Sequence, residues 1–440
     1  MNAARTASTM SPGLVKVAER AKSDPTTQFT SLAHLLNEDA LRRAYGRIRK
    51  DAAVGVDGTT KEAYGENLDQ NIQDLHRRLR TMKYRHRPIR RVNIPKAPGK
   101  TRPIGIACIE DKIVQGAIAE ILETVYEPGF LPCSYGFRRG RSPHDALRAV
   151  DRMVFREDIG WILEADIQAY FDSLLRPRLR EILKERVVDG SLLRLVAKCL
   201  HVGVLDGEEY SEPELGTVQG SILSPLLGNV YLHHVLDQWF EHEVKPQLEG
   251  HARLVRYCDD FVIGLASKKD AERVLEQLHS RMSAYGLTLH PEKTRLIPFR
   301  RPLWSSNQRK GPNTFDFLGF TVFWHRSRNG SWRVGMKTRK ARLRSALRAL
   351  DDWCRRHKHR PKMEQHAALS RRIRGHYNYF GINGNVRALK LLRRRAQRVW
   401  LRHLRRRSQN ARRRLTWERF NAYLKAFPLP QPRVYVQIWD

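Results

Sequence analysis

The chain has 440 residues, and 81 Lys and Arg against 46 Asp and Glu leave a formal net charge of +35. Its hydrophobic content of 41% is typical of a folded protein with a sizeable core, and it excludes disordered and collagen-like chains. So large a positive charge favours a polyanionic partner, and nucleic acid is the first to consider.

The five cysteines form no C-x-x-C pair, which excludes a zinc ribbon and a dithiol redox motif and favours a reducing compartment. We find no apolar run long enough to span a membrane and no signal peptide, so we expect a cytoplasmic protein without a membrane partner. Residues 1–30 are rich in Ala, Ser and Thr at their start, and we interpret them as a flexible tail.

In the N-terminal part, two strands at 90–96 and 102–106 carry cations around the turn 97–100, which predicts a basic hairpin. Helical spacing of apolar residues predicts helices over 32–49, 68–83, 111–126 and, after a capping box of Ser142 and Asp145, 143–155.

The central part contains a short apolar run, 161–167, in which Glu164 and Asp166 share one face of a predicted strand. Two more apolar strands, 253–257 and 261–265, are joined across a turn that carries two acids. Helices are predicted over 177–186, 192–201 and 225–244, with a hairpin around 205–208. This irregular alternation favours an α+β fold with an antiparallel hairpin in its sheet.

The composition changes near residue 338, because 338–414 holds 26 Lys and Arg but only three acids in an all-helical pattern. A solvated helical face usually alternates in sign, so we interpret this stretch as a nucleic-acid contact. Its aromatic residues could stack on bases, but core packing is the better interpretation of each one at helical spacing: Tyr377, Tyr379, Phe380 and Trp400.

Asp166, Asp259 and Asp260 offer the hard oxygen ligands that Mg²⁺ prefers. Template-directed nucleotide addition needs an activated 3′-hydroxyl and a stabilised diphosphate, and two Mg²⁺ ions meet both needs. Acids at a turn tip are commonly just solvated. Here the flanking strands are strongly apolar, where adjacent like charges are costly without a cation nearby.

Three segments are informative together, namely 166–172 (DIQAYFD), 219–226 (QGSILSPL) and 257–261 (YCDDF). Further segments accompany them in order: 55–58 (GVDG), 94–96 (IPK), 99–103 (GKTRP), 134–138 (SYGFR), 286–294 (GLTLHPEKT), 317–320 (FLGF), 374–380 (RGHYNYF) and 405–409 (RRRSQ). The whole series resembles the successive blocks of the reverse transcriptase/maturases that bacterial group II introns encode.

The resemblance implies an α+β right-hand polymerase with antiparallel sheet in fingers and palm. Its parts would be the tail at 1–30, an N-terminal extension and fingers at 31–160, a palm at 161–335 and a helical thumb or maturase domain at 336–440. The chain ends at Asp440 and lacks cysteine pairs, so we expect the form without an endonuclease domain. Its oligomeric state stays open.

The implied enzyme is an RNA-directed DNA polymerase, a nucleotidyltransferase that extends a primer on an RNA template with deoxynucleoside triphosphates. An RNA–DNA duplex is then its product, and as a maturase it would also bind a group II intron RNA and assist splicing. A second interpretation is a domesticated or defence-linked reverse transcriptase acting in DNA repair or spacer capture. Val218, Ser221 and Cys258 stand where the family usually has Pro, Gly and Ala, and these departures leave the choice between the two interpretations open.

The resemblance also assigns roles to residues. Asp166, Ile167, Asp259 and Asp260 would bind two Mg²⁺ ions, which Mn²⁺ can replace. Lys293 would protonate the leaving diphosphate, with a solvated lysine as the alternative. The incoming nucleotide would contact Lys96, Lys100, Arg102, Tyr170, Gln219 and Gly220. Tyr170 would exclude the 2′-hydroxyl unless it is a core residue, and one hairpin cation could touch template phosphate instead.

Overall fold

The computed structural model describes residues 10–97, 100–206, 209–211, 215–217, 220–305 and 309–439, with only the backbone at 95–97 and 100. Its helices are α1 (Pro12–Ser23), α2 (Glu38–Arg47), α3 (Lys61–Gly65), α4 (Leu68–Arg80), α5 (Ile109–Tyr126), α6 (Pro143–Arg156), α7 (Tyr170–Ser173), α8 (Arg176–Lys184), α9 (Gly190–Leu200), α10 (Ser224–Leu232), α11 (Lys268–Ala284), α12 (Lys340–Arg356), α13 (Lys362–Phe380), α14 (Val386–Arg405), α15 (Gln409–Arg414) and α16 (Trp417–Ala426). Its strands are β1 (Ile89–Ala97), β2 (Lys100–Ile106), β3 (Trp161–Asp166), β4 (Val204–Asp206), β5 (Glu209–Ser211), β6 (Ala252–Tyr257), β7 (Asp260–Leu265), β8 (Arg295–Pro298), β9 (Lys310–Phe317), β10 (Phe320–Arg326) and β11 (Trp332–Thr338).

The central sheet has the strand order β6-β7-β3-β8, and every neighbouring pair in it is antiparallel. Both of its faces are covered: Leu163 and Ile263 belong to one hydrophobic core, and Ile162 and Val262 belong to a second. Because successive side chains alternate between faces, burial on both sides explains why β3 and β7 are almost continuously apolar. The fold class expected from the sequence is confirmed.

The basic hairpin of β1 and β2 is present as predicted, with Arg90 opposite Ile106 and Ile94 opposite Arg102. β4 extends this sheet in parallel to β1, and β5 closes it in antiparallel pairing with β4. The hairpin therefore belongs to a four-stranded sheet separate from the central one.

A further antiparallel sheet, β9-β10-β11, was not predicted from the sequence. Its large apolar side chains, among them Phe315, Trp324 and Trp332, share a core with the inner face of α6. The sheet carries the chain from the central sheet to the basic C-terminal helices. At that junction, the Asn385 side chain accepts a hydrogen bond from Thr338 N at 2.9 Å and donates one to Thr338 Oγ1 at 2.8 Å.

The C-terminal helices pack around a core of their own, in which Trp353, Ile373, Tyr377, Trp400 and Phe420 are buried. The cations of these helices lie mainly on the outside, as the amphipathic pattern predicts. Tyr377 and Trp400 are thus core residues, in agreement with the core packing that the sequence predicted for them in preference to base stacking. Within the described ranges, no helix combines the length and apolar composition needed to cross a membrane.

The N-terminal segment differs from the flexible tail that its composition suggested. Residues 12–23 form α1, whose Leu14 and Ala21 are buried in the main core, and Phe29 pairs with Val187 in a short parallel bridge. Asp189 fixes the same region, because its carboxylate accepts hydrogen bonds from Leu32 N at 2.6 Å and Ala33 N at 2.7 Å. Residues 1–9 lie outside the described part of the chain.

The long helix predicted over 225–244 is continuous but changes geometry along its length. After α10 it runs on as a π-helix, His233–Val244. The π segment carries Asp237, which is fully buried and whose charge is satisfied by a partner on the central sheet. Such segments are rare and often accompany functional sites.

Candidate active site

Three carboxylates meet at one end of the central sheet. Asp166 is the last residue of β3, Asp260 is the first of β7, and the two are directly opposite in the antiparallel register. Asp259 precedes Asp260 in the tight turn from β6 to β7. The predicted grouping of these three aspartates therefore follows from the pairing of β3 with β7 and from the turn that precedes β7.

The turn that carries Asp259 requires an unusual backbone. Cys258 has a φ of 58°, in the left-handed region that a residue with a side chain seldom adopts. Gly136 packs directly against it, and a Cβ at position 136 would lie 2.5 Å from Cys258 N. A glycine is thus needed beside the turn because no side chain fits there.

Arg256 supports this turn from inside the protein and was not identified from the sequence. Its guanidinium is fully buried and donates to Cys258 O at 3.1 Å, to Asn229 Oδ1 at 3.0 Å and to Ser134 Oγ at 2.8 Å. Its charge is balanced by Asp237. An arginine between apolar residues of a predicted strand was the available signal, since buried arginines are found almost only when paired.

The electrostatics of the three acids favour a cation between them. Burial, opposed by a hydrogen bond from Leu318 N and assisted by repulsion from Asp166 and Asp259, raises the pKa of Asp260 to about 7. Burial likewise raises the pKa of Asp259, and repulsion from Asp166 adds to this, whereas Arg102 and Lys293 act in the opposite direction. The site therefore holds more negative charge than its protein surroundings stabilise.

Lys293 lies in this site and forms an ion pair with Asp166. Its side chain is 54% exposed, so it can move toward a bound ligand without unpacking a core. The adjoining backbone is well fixed, because His290 N donates to Asp166 O at 2.8 Å and Ile167 pairs with Leu289 in an antiparallel bridge. Asp166, Ile167, Asp259, Asp260 and Lys293 are thus close together, as expected.

The donor set suits a hard divalent ion, because carboxylate oxygens are the ligands that Mg²⁺ and Mn²⁺ prefer. In the described part of the chain, no three His, Cys, Asp or Glu side chains are already arranged as a metal cluster. The Asp166 carboxylate is turned toward Lys293 instead. The residues fit the ion by chemistry and charge, and a rotation of Asp166 would free its carboxylate from Lys293.

Tyr170 is placed differently from the expected sugar contact. It is 3% exposed, and its hydroxyl donates to Gly228 O at 2.6 Å. Gly228 is required there, since a Cβ would lie 3.1 Å from the Tyr170 ring. The ring is therefore a core element with no face free for a nucleotide, whereas the neighbouring Phe171 is only half-buried.

The other expected nucleotide contacts are described in part. Gly220 has a φ of 109°, and a Cβ there would lie 2.8 Å from Ile104 Cγ2, so the chain packs tightly against β2. Arg102 is exposed on β2. Gln219 and the side chains of Lys96 and Lys100 lie outside the described residues.

Leu318 connects the turn that carries Asp259 and Asp260 to the helical domain, a link that sequence reasoning missed. Its N–H donates to Asp260 Oδ2 at 3.3 Å, and its carbonyl accepts from the Tyr379 hydroxyl at 2.8 Å. Leu318 adopts a left-handed φ of 49° that places both groups. The block 317–320 was recognised, but no sequence pattern indicates which backbone amide will reach a carboxylate.

Residues 94–322 match the family model described as reverse transcriptase (RNA-dependent DNA polymerase). This chain belongs to the reverse transcriptase family. The match covers β3, the turn after β6 and Leu318, so the aspartate site lies within it. Membership confirms the predicted enzyme class, and the family generally uses divalent metal ions and binds nucleic acid.

Curated relatives of the reverse transcriptase include Protein YkfC of Escherichia coli K12, 30% identical over 355 residues that cover 72% of this chain and 90% of the relative. The group II intron-encoded protein LtrA of Lactococcus lactis subsp. cremoris is 27% identical over 402 residues, covering 77% of this chain and 63% of LtrA. Nuclear intron maturase 4 of Arabidopsis thaliana is 30% identical over 170 residues, or 38% of this chain and 19% of that protein. The predicted resemblance to group II intron-encoded proteins is confirmed.

Proposed function

We propose that this reverse transcriptase extends a primer on an RNA template with deoxynucleoside triphosphates, using two divalent ions held by Asp166, Asp259 and Asp260. The observation that carries the proposal is the direct pairing of Asp166 with Asp260 across β3 and β7, beside Asp259. Strand pairing and the adjoining turn bring together three acids whose mutual repulsion a bound cation would relieve. Asp166 and Asp259 are the nearest candidates for direct ligands, with the Ile167 carbonyl beside them.

Bound Mg²⁺ would lower the pKa of the primer 3′-hydroxyl and stabilise charge on the diphosphate. The protein's part is to orient the reactants around that point. Arg256 fixes the turn that carries Asp259, and Asp260 is held by Leu318 N. Lys293, once released from Asp166, would donate a proton to the departing diphosphate from its Nζ.

The basic hairpin would close over the triphosphate. Arg102 is exposed and influences Asp259, which places a cation within electrostatic reach of the reacting phosphates. We assign Lys96 and Lys100 to the same task, since they lie on the same hairpin. Gln219 and Gly220 would support the templating pair, where tight packing of Gly220 against β2 keeps the backbone close.

We further propose that Phe171, rather than Tyr170, lies against the sugar of the incoming nucleotide. Tyr170 is buried and its hydroxyl is hydrogen-bonded, whereas Phe171 is half-buried and packs against it with the rings tilted by 55° and 5.1 Å between centroids. An aromatic ring at that place leaves no room for a 2′-hydroxyl.

The helical domain would bind the RNA–DNA duplex and an intron RNA, which would make the protein a maturase as well. Exposed arginines support this assignment: Arg398, Arg405, Arg406 and Arg412 line an open cavity of about 730 Å³ on this domain. Phosphate contacts of this kind position a nucleic acid without reading its sequence. The similarity to LtrA favours an intron RNA over the alternative role in DNA repair or spacer capture.

The polymerase proposal is tested by primer extension on an RNA template with Mg²⁺. Asp259→Ala should abolish extension and leave RNA binding nearly unchanged, because only the metal site is altered. Asp158→Ala, at an exposed acid elsewhere, is the matched control and should extend normally. Extension by Asp259→Ala near the wild-type rate would overturn the metal assignment.

A further inference from the structure

A second cavity, of about 340 Å³, lies between α6, β11 and the segment 437–439. The cavity is separated from the turn that carries Asp259 and Asp260 by a distance along the strands of the sheet β9-β10-β11. β10 begins beside the Leu318 loop, where Phe320 pairs with Thr338, and Arg333 of the cavity lies five residues before Thr338 on β11. At about 3.3 Å per residue this separates the two places by roughly 17 Å along the strand.

Arginines surround this cavity, and most of them have no acidic partner among the residues that the structure describes. Arg148 pairs with Asp145 at 2.7 Å. Arg152, Arg156 and Arg333 also line the cavity, are exposed at its rim, and make no ion pair within 4.0 Å to any described residue. Unpaired guanidinium groups converging on one space are suited to a phosphate, which they bind in bidentate fashion.

Asp151 is the exception in this positive surrounding. It is only 8% exposed and lines the cavity, yet no described group donates a hydrogen bond to its carboxylate. Burial raises the pKa of Asp151 to about 6, and Arg333, Arg156 and Arg152 counteract the rise without coming within 4.0 Å of it. Its oxygens are not sealed from the cavity, so the carboxylate can accept hydrogen bonds from a ligand with N–H groups.

An arginine and an aromatic ring form a layered wall beside Asp151. The Arg333 guanidinium lies over the Phe155 ring, 5.0 Å from its centroid, and Trp439 also lines the cavity. Both indole and guanidinium planes stack on nucleobases. The volume falls within the range of about 300 to 1,000 Å³ that is typical of small-ligand sites.

We propose that this cavity binds a guanine nucleotide, free or within single-stranded RNA, with Asp151 accepting hydrogen bonds from the base and the arginines binding its phosphate. Guanine is favoured because its N1–H and N2–H lie side by side and match the two oxygens of one carboxylate. Adenine, cytosine and uracil do not present two such adjacent ring and amino donors. The site lies outside the polymerase centre and serves recognition of an RNA or a nucleotide.

The test measures binding of GMP, IMP and AMP to the full chain by calorimetry in EDTA, so that the polymerase site holds no metal. GMP should bind about tenfold more tightly than AMP, since a good bidentate base contact contributes about that factor. IMP keeps the N1–H but lacks the 2-amino group, so its affinity should lie between those of GMP and AMP. This comparison needs no variant, and equal affinity for the three nucleotides would overturn the proposal.

Variants then localise the site. Asp151→Asn should erase the preference for GMP, and Arg333→Gln should weaken GMP and AMP alike. Arg328→Gln removes the same charge from an exposed place on the same hairpin and should change nothing. A preference for GMP that persists in Asp151→Asn would contradict the assignment, as would an equal effect of Arg328→Gln.

The two sources of the ligand are separated with the RNA tetranucleotides UUGU and UUAU. A preference for UUGU over UUAU identifies a nucleotide within RNA, and equal binding of the two identifies a free nucleotide, because sequence-independent phosphate contacts cancel between them. Primer extension by Asp151→Asn should stay at the wild-type rate. Loss of guanine binding and loss of polymerase activity are therefore independent results.

Discussion

Arg256 and Asp237 form a fully buried ion pair, with Arg256 Nε 2.6 Å from Asp237 Oδ1 and Nη2 2.5 Å from Oδ2. Coulombic attraction and hydrogen bonding hold the pKa of Asp237 below its usual range despite its burial. The same guanidinium reaches the carbonyl of Cys258. The catalytic turn is thereby fixed to the π-helical segment His233–Val244, which lies behind the central sheet.

Arg256→Met should destabilise the protein by about 3–5 kcal/mol, because Asp237 would be left buried and unpaired. The double variant Arg256→Met/Asp237→Leu should regain most of this free energy of unfolding but extend primers at least about tenfold more slowly, since Cys258 O then has no donor. Urea unfolding and extension rates measure both effects. Arg253 lies on the same strand as Arg256 and forms a partly exposed ion pair with Glu157. Arg253→Met breaks that pair and should cost less than about 1 kcal/mol. Wild-type extension by the double variant would show that the turn needs no such support.

Asp260→Asn should stabilise the metal-free protein at pH 8 while abolishing extension. The pKa of Asp260 is about 7 in the folded protein, against about 3.9 when unfolded. The folded state therefore binds the proton more tightly, and stability falls as the pH rises from about 4 to about 7. We expect a gain of about 3 °C in Tm at pH 8 and none at pH 4, measured by calorimetry in EDTA. Asp158→Asn should show no such pH-dependent gain. A lower Tm for Asp260→Asn at pH 8 would contradict the inference that the charged form of Asp260 destabilises the metal-free protein.

Tyr379→Phe should weaken the apparent affinity for Mg²⁺ with little loss of stability. It removes the hydrogen bond to Leu318 O, which contributes about 0.5–1.5 kcal/mol. Without it, the Leu318 amide should hold Asp260 less well, and extension should fall at limiting Mg²⁺ but recover at saturation. Tyr423→Phe is the matched control, since its hydroxyl meets only Met363 Sδ at 3.4 Å. An unchanged Mg²⁺ titration would remove Tyr379 from the site.

Phe171→Ala should raise the ratio of ribonucleotide to deoxynucleotide incorporation about tenfold or more, because the variant has no ring to exclude the 2′-hydroxyl. Tyr170→Phe should leave that ratio unchanged and lower stability by about 1 kcal/mol, since Gly228 O loses its donor. Single-nucleotide incorporation assays measure the ratio. The reverse pattern would restore Tyr170 as the sugar contact.

Replacing Arg398, Arg405, Arg406 and Arg412 with Gln should flatten the salt dependence of duplex binding. For every phosphate that the variant no longer neutralises, the slope of log affinity against log salt should fall by about 0.7 to 0.9. Binding should weaken equally for different template sequences, and extension at low salt and saturating protein should survive. The measurement is a salt titration by fluorescence anisotropy. A slope equal to that of the wild type would assign duplex binding to the fingers around β1 and β2.

The spacing of apolar residues in the sequence predicted many of the helices and strands of this fold. β3, β6 and β7 are short, mainly apolar runs next to acids, and α6 begins at the capping box of Ser142 and Asp145, which the structure contains. These features are local, so the sequence alone predicts them. The sheet β9-β10-β11 was missed because β9 alternates weakly and gains its strand character from pairing with β10.

The site was predictable to the extent that it consists of acids at strand ends. The interpretation of Tyr170 depended on whether its ring or that of Phe171 faces inward, and the helical turn α7 decides that, with Ala169 at a left-handed φ of 46° before it. Asp237 and Arg256 are 19 residues apart on different elements, so their contact arises only from the tertiary fold. The prediction of a flexible tail was wrong for α1, because the buried contacts of this helix outweigh the polar composition of the segment.

Leu318 couples the docking of the helical domain to the binding of a cation at the aspartate site. Its carbonyl holds the helical domain through Tyr379, and its amide favours the charged form of Asp260. By thermodynamic reciprocity, a ligand that stabilises the docked position of the helical domain also strengthens cation binding, and a bound cation stabilises the docked position in return. A nucleic acid held by the basic helices would thus prepare the chemistry before any nucleotide arrives, and an idle enzyme would hold its ions loosely.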